Sequence, residues 1–397
     1  MKKFDTYQDL KKLIGSHYMQ AKTAEFFNQK VAWVSSGAPV EVLRPFDVVT
    51  VYPENHASVC GAAKQGPELC KAAEAEGYTR DLCSYFRCDR GSTVLQTSPI
   101  GGLPDPDFLF GCNNICGTIL KWYEIASRHF DVPFLFVDTP FVHTELFEHA
   151  VTYVKEQLHE LIPVLESLTE RQFDDNKFNK GLQLSKECVE IWEEILLFGA
   201  HIPSPLTCFD AFTQLAAIVS LRGTQEAVTH YQKVKNELQN RVETGVSAVD
   251  NEKIRLLWDN IPVWYAMRSM SELFEEYNAC VVADTYTHAW AAADITMDHP
   301  MESLARSYLK IYLNISMDIM VKRIKHLIKT FKVDGMIMHS NRSCKPYSLG
   351  QYDIARTIRE ETGIPVLIIE ADMVDSRSYA EAQVRTRIEA FLESVGG

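Results

Sequence analysis

Asp107-Phe108-Leu109-Phe110-Gly111-Cys112-Asn113-Asn114-Ile115-Cys116 is the stretch whose reading decides the fold. An acidic residue opens a short apolar run, and a cysteine stands nine residues after it. A helical pattern over 116–129 follows, then Asp131-Val132-Pro133, a second apolar run over Pro133–Asp138, and Asp138. The order returns late in the chain: Asp334, the run Gly335–His339, Asn341, Cys344 ten residues after Asp334, a helical pattern over 347–361, Gly363-Ile364-Pro365, the run Val366–Glu370, and Asp372. Short apolar runs bounded by Pro, Gly, Asn or Asp signal buried strands. Strands that alternate with helices predict parallel α/β sheets. The echo predicts two α/β halves of similar design, although a shared α/β habit also accounts for so short a match.

Working outward, Val31–Ser35 and Asp47–Tyr52 are further strand-like runs, after an amphipathic helical pattern over 5–30 and before another at 65–76. From Thr144 to Thr244 the patterns are long and helical (144–168, 174–198, 208–221, 223–243), and their charge runs read as solvated faces. After residue 250 the α/β rhythm returns, with a strand at Val281–Tyr286 and helices over 268–278, 301–332 and 379–394. Lys322, Arg323, Lys325, Lys329 and Lys332 suit the C-terminal end of a helix dipole, with a phosphate site as the sharper alternative. The expected architecture is α/β: an N-terminal helix and first domain (1–143), a helical segment (144–250) and a second domain (251–397), the two domains being similar, parallel-sheet and Rossmann-like.

With 397 residues, 46% hydrophobic and 23% charged, the chain can bury large cores, which excludes disorder as its main state. A net charge of −13 argues against broad binding to nucleic acid or an anionic membrane. No apolar run reaches the roughly 20 residues of a membrane span. The start, Met1-Lys2-Lys3-Phe4-Asp5, has no apolar signal core, so a cytoplasmic location is expected.

Ten cysteines then stand as thiols or metal ligands, six of them between positions 60 and 116. Parallel sheets place ligands at the carboxyl ends of their strands. Cys116 and Cys344 each sit just past a strand and just before a helix, where the dipole favours a thiolate. Cys83 precedes another potential helix. Three sulfurs from three loops suit an iron–sulfur cluster with one iron left open, and an open iron acts as a Lewis acid. Cys83-x4-Cys88 and Cys112-x3-Cys116 match zinc spacings only loosely. For any one cysteine the plainer reading is a small buried hydrophobe, which is the assignment of Cys60, Cys70, Cys188, Cys208 and Cys280. The loop Tyr52-Pro53-Glu54-Asn55-His56 sets Glu54 and His56 where acid–base residues stand, or forms a surface turn. Ser35-Ser36-Gly37 ends a strand and serves either a substrate or a turn. His288 reads as a satisfied core histidine. No nucleotide-binding, H-E-x-x-H or G-x-S-x-G motif is present.

At these residues a family resemblance enters. YPENHASVCGA (52–62), RDLCSYFR (80–87), PDFLFGCNNICGTILKWYE (106–124), THAW (287–290), HSNRSCKPYSLGQYD (339–353) and IEADMVDSRSYAEAQVRTRI (369–388) resemble the alpha subunit of 2-hydroxyacyl-CoA dehydratases, in the same order over nearly the whole chain. That family is related to ATP-dependent benzoyl-CoA reductase. The resemblance implies a heterodimer with a beta subunit and a 4Fe-4S cluster on Cys83, Cys116 and Cys344, in the cleft between the two domains. Cys112 competes with Cys116 for the middle place. Cys116 is preferred because Lys121 and Glu124 then keep the family's spacing. The resemblance implies that Glu54 is the acid–base carboxylate and that Ser36 lies near the thioester.

It also implies an acyl-CoA substrate, an ATP-dependent iron–sulfur activator protein that injects one electron, and loss of water from a 2-hydroxyacyl-CoA through a ketyl radical. The sequence leaves flavin in the complex and the identity of the acyl group open. Two other functions stay in view: a benzoyl-CoA-reductase-like subunit, and a non-catalytic cluster-binding or zinc scaffold.

Overall fold

The structure is a computed structural model that describes residues 4–291 and 295–396; the first three residues of the N-terminal reading lie outside them. Four runs fold as strands, β1 (Val31–Val34), β2 (Val49–Val51), β3 (Phe108–Cys112) and β4 (Phe134–Val137). They pair in parallel in the order β2-β1-β3-β4. A second parallel sheet takes β5 (Ile254–Asp259), β6 (Ala279–Asp284), β7 (Gly335–Asn341) and β8 (Val366–Ala371) in the order β6-β5-β7-β8. The two orders are one permutation used twice, as the echo of Asp107–Cys116 in Asp334–Cys344 leads one to expect.

The sequence reading missed β5, the central strand of the second sheet. Arg255 interrupts its apolar run, yet is buried. Its guanidinium donates to the carbonyls of Phe331 at 2.8 Å, Gly199 at 2.6 Å and His201 at 3.1 Å, so a charge within a fully buried strand is satisfied. The helix expected over 301–332 is two helices, Pro300–Leu309 and Met317–Phe331. Between them Ile315 bridges to Val142, and the Asn314 amide donates to Pro140 O at 2.9 Å and Leu309 O at 2.8 Å. The 5–30 pattern ends as a helix at Lys22, followed by a short 3₁₀ turn. The 208–221 pattern is broken at Leu215. The residues after β2 form a helix, Pro53–Ala62, rather than a loop, because Pro53 sits at its first position where no N–H is needed.

One continuous apolar core joins the first sheet, the helices of the middle segment and Met301–Ile315, while the second sheet carries a separate core on each face. Among the described residues no helix is long and apolar enough to cross a membrane.

In each sheet the chain leaves the first strand toward one side and returns on the other, so a crevice opens between β1 and β3 and between β5 and β7, at their carboxyl ends. At the first crevice the backbones approach closely. A Cβ on Gly37 would lie 2.3 Å from Asn114 Oδ1 and 2.7 Å from Ile115 Cγ1, so only glycine fits there. The halves are tied together by a partly buried ion network: Arg87 Nη1 donates to Glu74 at 2.6 Å and to Asp375 at 2.9 Å, and Arg377 Nη2 donates to Asp375 at 2.7 Å and to Glu74 at 2.6 Å.

Candidate active site

A cavity of about 180 Å³ lies where the two crevices face each other, and Ser36, Glu54, Cys83, Cys116 and Cys344 all line it. Of the ten cysteines seven are buried; the three that are partly exposed are Cys83, Cys116 and Cys344. Each stands at the N-terminal boundary of a helix, Ser84–Leu95, Gly117–Phe130 and Lys345–Ser348. The helices arise locally for the same reason each time: a strand or turn ends in a cysteine with non-helical backbone angles, and the next residues wind at once. First-turn N–H groups favour the thiolates, those of Phe86 and Tyr85 for Cys83, of Ile119 and Thr118 for Cys116, and of Tyr347 for Cys344. Burial outweighs them. It pushes the Cys83 thiol up to about 12 and raises Cys116 and Cys344 as well; Cys116 adds to the rise at Cys83, and Cys83 and Cys116 to that at Cys344.

Three buried thiols held protonated in a largely apolar cavity are a donor set that a cationic iron core would convert to thiolates, and N–H donors aimed at ligand sulfurs suit such a core. Among the described residues no three His, Cys, Asp or Glu side chains converge tightly enough for a single metal ion. A polynuclear cluster spaces its ligand sulfurs more widely than one ion does.

Glu54 and Ser36 are in direct contact. Glu54 lies in the first turn of Pro53–Ala62, and its Oε1 accepts the Ser36 N–H at 2.9 Å while the Tyr123 hydroxyl reaches Oε2 at 3.4 Å. Burial raises this carboxyl to about 7 against those two donors. Hydrogen bonds hold the surrounding loops in place. The Asn114 amide donates to Gly37 O at 2.8 Å and Tyr308 O at 2.9 Å, fixing the Cys116 loop to the Ser36 loop. The Ser343 hydroxyl accepts the Ser84 N–H at 3.1 Å and bonds its Oγ at 3.0 Å, so the residue after Cys83 holds the residue before Cys344.

Residues 35–395 match the family described as 2-hydroxyglutaryl-CoA dehydratase, D-component. The chain belongs to that family. It is 35% identical over 385 residues to the (R)-2-hydroxyisocaproyl-CoA dehydratase alpha subunit of Clostridioides difficile, covering 96% of this chain and 94% of that one. It is 33% identical over 400 residues to the (R)-phenyllactyl-CoA dehydratase alpha subunit of Clostridium sporogenes, covering 98% and 97%. To a subunit of the benzoyl-CoA reductase of Thauera aromatica it is 27% identical over 407 residues, covering 97% and 93%. Membership of the dehydratase family makes the chain part of an enzyme, a carbon–oxygen lyase.

Within this dehydratase-family chain the remaining sequence candidates part company. Cys112 is fully buried at the end of β3, with its sulfur 3.7 Å from Thr139 Oγ1, and does not line the cavity. His56 turns away from Glu54. Its Nε2 lies 2.7 Å from Ser98 Oγ and 3.6 Å from Cys60 Sγ. Burial alone would lower its pKa, but Asp89 and Cys60 carry it up to about 9. Cys60 is thus a bonded thiol rather than plain filler; Cys70, Cys188, Cys208 and Cys280 are buried as expected, with Cys70 Sγ donating to Ser84 O at 3.7 Å and Cys280 Sγ to Leu206 O at 3.8 Å. His288 is hydrogen-bonded, its Nδ1 2.7 Å from Asp284 O, and burial holds it down at about 4. Lys121 and Glu124 form a surface ion pair at 3.0 Å.

Sequence reasoning missed the polar end of the cavity, Glu41, Arg222 and Tyr308. Glu41 is a lone charge in an apolar stretch, Arg222 ends one and Tyr308 lies in a mixed helix, and nothing local says that they converge. An open groove of about 650 Å³ shares Ser36, Glu54, Tyr286 and Trp290 with the cavity and runs out past Lys64 and Arg268.

Proposed function

We propose that this chain is the alpha subunit of a radical (R)-2-hydroxyacyl-CoA dehydratase, which converts a 2-hydroxyacyl-CoA to the 2-enoyl-CoA and water by way of a ketyl radical. The single observation that carries the reading is the meeting of three otherwise free thiols with the Ser36–Glu54 pair in one largely apolar cavity. Held by Cys83, Cys116 and Cys344, a 4Fe-4S cluster supplies an iron with an open position, a Lewis acid for a thioester carbonyl and a path for one electron.

The chain's own residues supply the rest. Ser36 stands beside the thioester and orients it. The Glu54 carboxylate takes the β-proton of the acyl chain. Its pKa near 7 lets it accept that proton and give it up again at neutral pH. The C2–O and C3–H bonds break, the C2=C3 bond forms, water leaves, and the borrowed electron is returned. The apolar walls keep bulk water from the reacting carbons. The groove past Lys64 and Arg268 suits the pantetheine arm, with those cations toward the CoA phosphates. A beta subunit completes the enzyme, and a separate ATP-dependent iron–sulfur activator delivers the electron. The higher identity to two dehydratase alpha subunits, 35% and 33% against 27% for the reductase subunit, favours dehydration over reductase-like chemistry, although a third dehydratase alpha subunit stands at 26%.

The test is anaerobic purification with the beta subunit. Iron and sulfide are expected in the wild type and in Cys188→Ala, with iron lost in Cys344→Ala. With activator, ATP and reductant, a 2-hydroxyacyl-CoA should give the enoyl-CoA without net electron consumption. A colourless protein holding zinc and no sulfide would overturn the reading. Net electron consumption would replace it with the reductase.

A further inference from the structure

The charges that line the cavity say what kind of acyl chain it admits. Beyond Ser36, Glu54 and the polar end at Glu41, Arg222 and Tyr308, the walls are mostly apolar and aromatic, with Val189, Ile261, Trp290, Ile295, Ile311 and Leu313 among them and the neutral hydroxyls of Thr118, Ser307 and several tyrosines between them. Among the described residues lining it, the charged side chains are Glu41, Glu54 and Arg222, so Arg222 is the one cation. Its charge is already matched. Arg222 Nε donates to Glu41 Oε1 at 3.0 Å, and Nη2 donates to the Tyr308 hydroxyl and to Ala38 O at 3.5 Å. The Tyr308 hydroxyl in turn donates to Glu41 Oε2 at 2.7 Å, and Ser185 donates to Oε1 at 2.8 Å. The guanidinium lies 5.4 Å from the ring centres of both Trp290 and Tyr308.

We infer that the enzyme is selective for 2-hydroxyacyl groups with an apolar side chain, aliphatic or aryl, and that the closed Glu41–Arg222 pair refuses acyl groups ending in a second carboxylate. The inference rests on the dehydratase reading and narrows its substrate class. A carboxylate entering this cavity meets a pair of net zero charge and the Glu54 carboxyl, and loses its water with no free cation in return. An apolar side chain is favoured by the same walls, with binding strengthened about fourfold for each methylene taken from water. Burial would raise the Glu41 carboxyl, but Arg222, Tyr308 and Ser185 together hold it below its usual range, so the pair stays ionised.

The test measures binding of non-reacting saturated thioesters to the anaerobic heterodimer by calorimetry: 4-methylpentanoyl-CoA, 3-phenylpropanoyl-CoA and glutaryl-CoA. Turnover of the matching 2-hydroxyacyl-CoAs follows. The two apolar thioesters are expected to bind roughly 100-fold more tightly than glutaryl-CoA. Glu41→Gln leaves the Arg222 charge unmatched and should narrow that ratio about tenfold through tighter glutaryl-CoA binding. If that variant does not fold, the wild-type ratio decides alone. Glutaryl-CoA binding as tightly as the apolar thioesters overturns the inference and leaves the dehydratase reading standing. No thioester bound and none dehydrated removes both.

Discussion

Burial holds the Glu54 carboxyl at about 7, against a usual value of 4.5, although the Ser36 N–H and the Tyr123 hydroxyl favour its anion. The fold thus prefers the protonated acid. The stability this gives is fully present below about pH 4.5 and is lost as pH rises through about 7. As a base the residue must be ionised, so kcat/KM should climb through about pH 7 on its acid limb. Glu54→Gln keeps the shape and removes the charge. It should lower turnover at least 100-fold with iron retained, and at pH 8 it should raise unfolding free energy by up to about 3 kcal/mol. A variant that turns over normally removes Glu54 from the chemistry. At this scale the sequence was legible where position alone places a group. Cys116 and Cys344 follow strands and precede helices, so their place at the crevice could be read. The Glu41–Arg222 pair could not, because a charge inside an apolar run, as at Glu41, or at the end of one, as at Arg222, reads the same whether it pairs in a core or reaches solvent. His56 stands apart for a related reason: two residues after Glu54 on a helix, it necessarily faces another side.

Elements that end in a cysteine were legible because a polar stop, an apolar run and a helical pattern occur together. β5 was not, since Arg255 breaks the run and its four hydrogen-bond partners lie elsewhere in the chain or just before it. The split of 301–332 was hidden because Ile315 continues an apolar pattern yet pairs with distant Val142. The loops carrying Cys83 and Cys344 depend on one another through Ser84 and Ser343. Ser343→Ala leaves the buried Ser84 N–H without its acceptor, which costs about 1–3 kcal/mol. It should also speed iron loss to a chelator under anaerobic conditions. An unchanged rate of loss would show that the two loops hold their sulfurs without this bond.

At the scale of the molecule, the repeated strand order was foreshadowed by the internal echo, while the way the middle helices merge with the first core was not, since helical periodicity marks an apolar face but not its partner. Together with the Ser84–Ser343 bonds, the partly buried network of Arg87, Glu74, Asp375 and Arg377 ties the two halves. Arg87→Met strands the buried Asp375 carboxylate with one partner fewer, and unfolding free energy should fall by about 3–5 kcal/mol, measured by denaturant titration. A loss below about 1 kcal/mol would mean that Arg377 alone suffices. The strand-order repeat also sets a schedule for the living cell. Cys116 leaves the ribosome 228 residues before Cys344 (positions 116 and 344). At about 5–20 residues per second that is a wait of roughly 10–50 s. During that interval two of the three sulfurs are already made, while the strand that delivers the third does not yet exist. On the proposed ligand set, cluster loading would therefore be a late event, gated by translation of the final domain, and a nascent chain stalled before β7 should emerge iron-free however rich its surroundings are in iron.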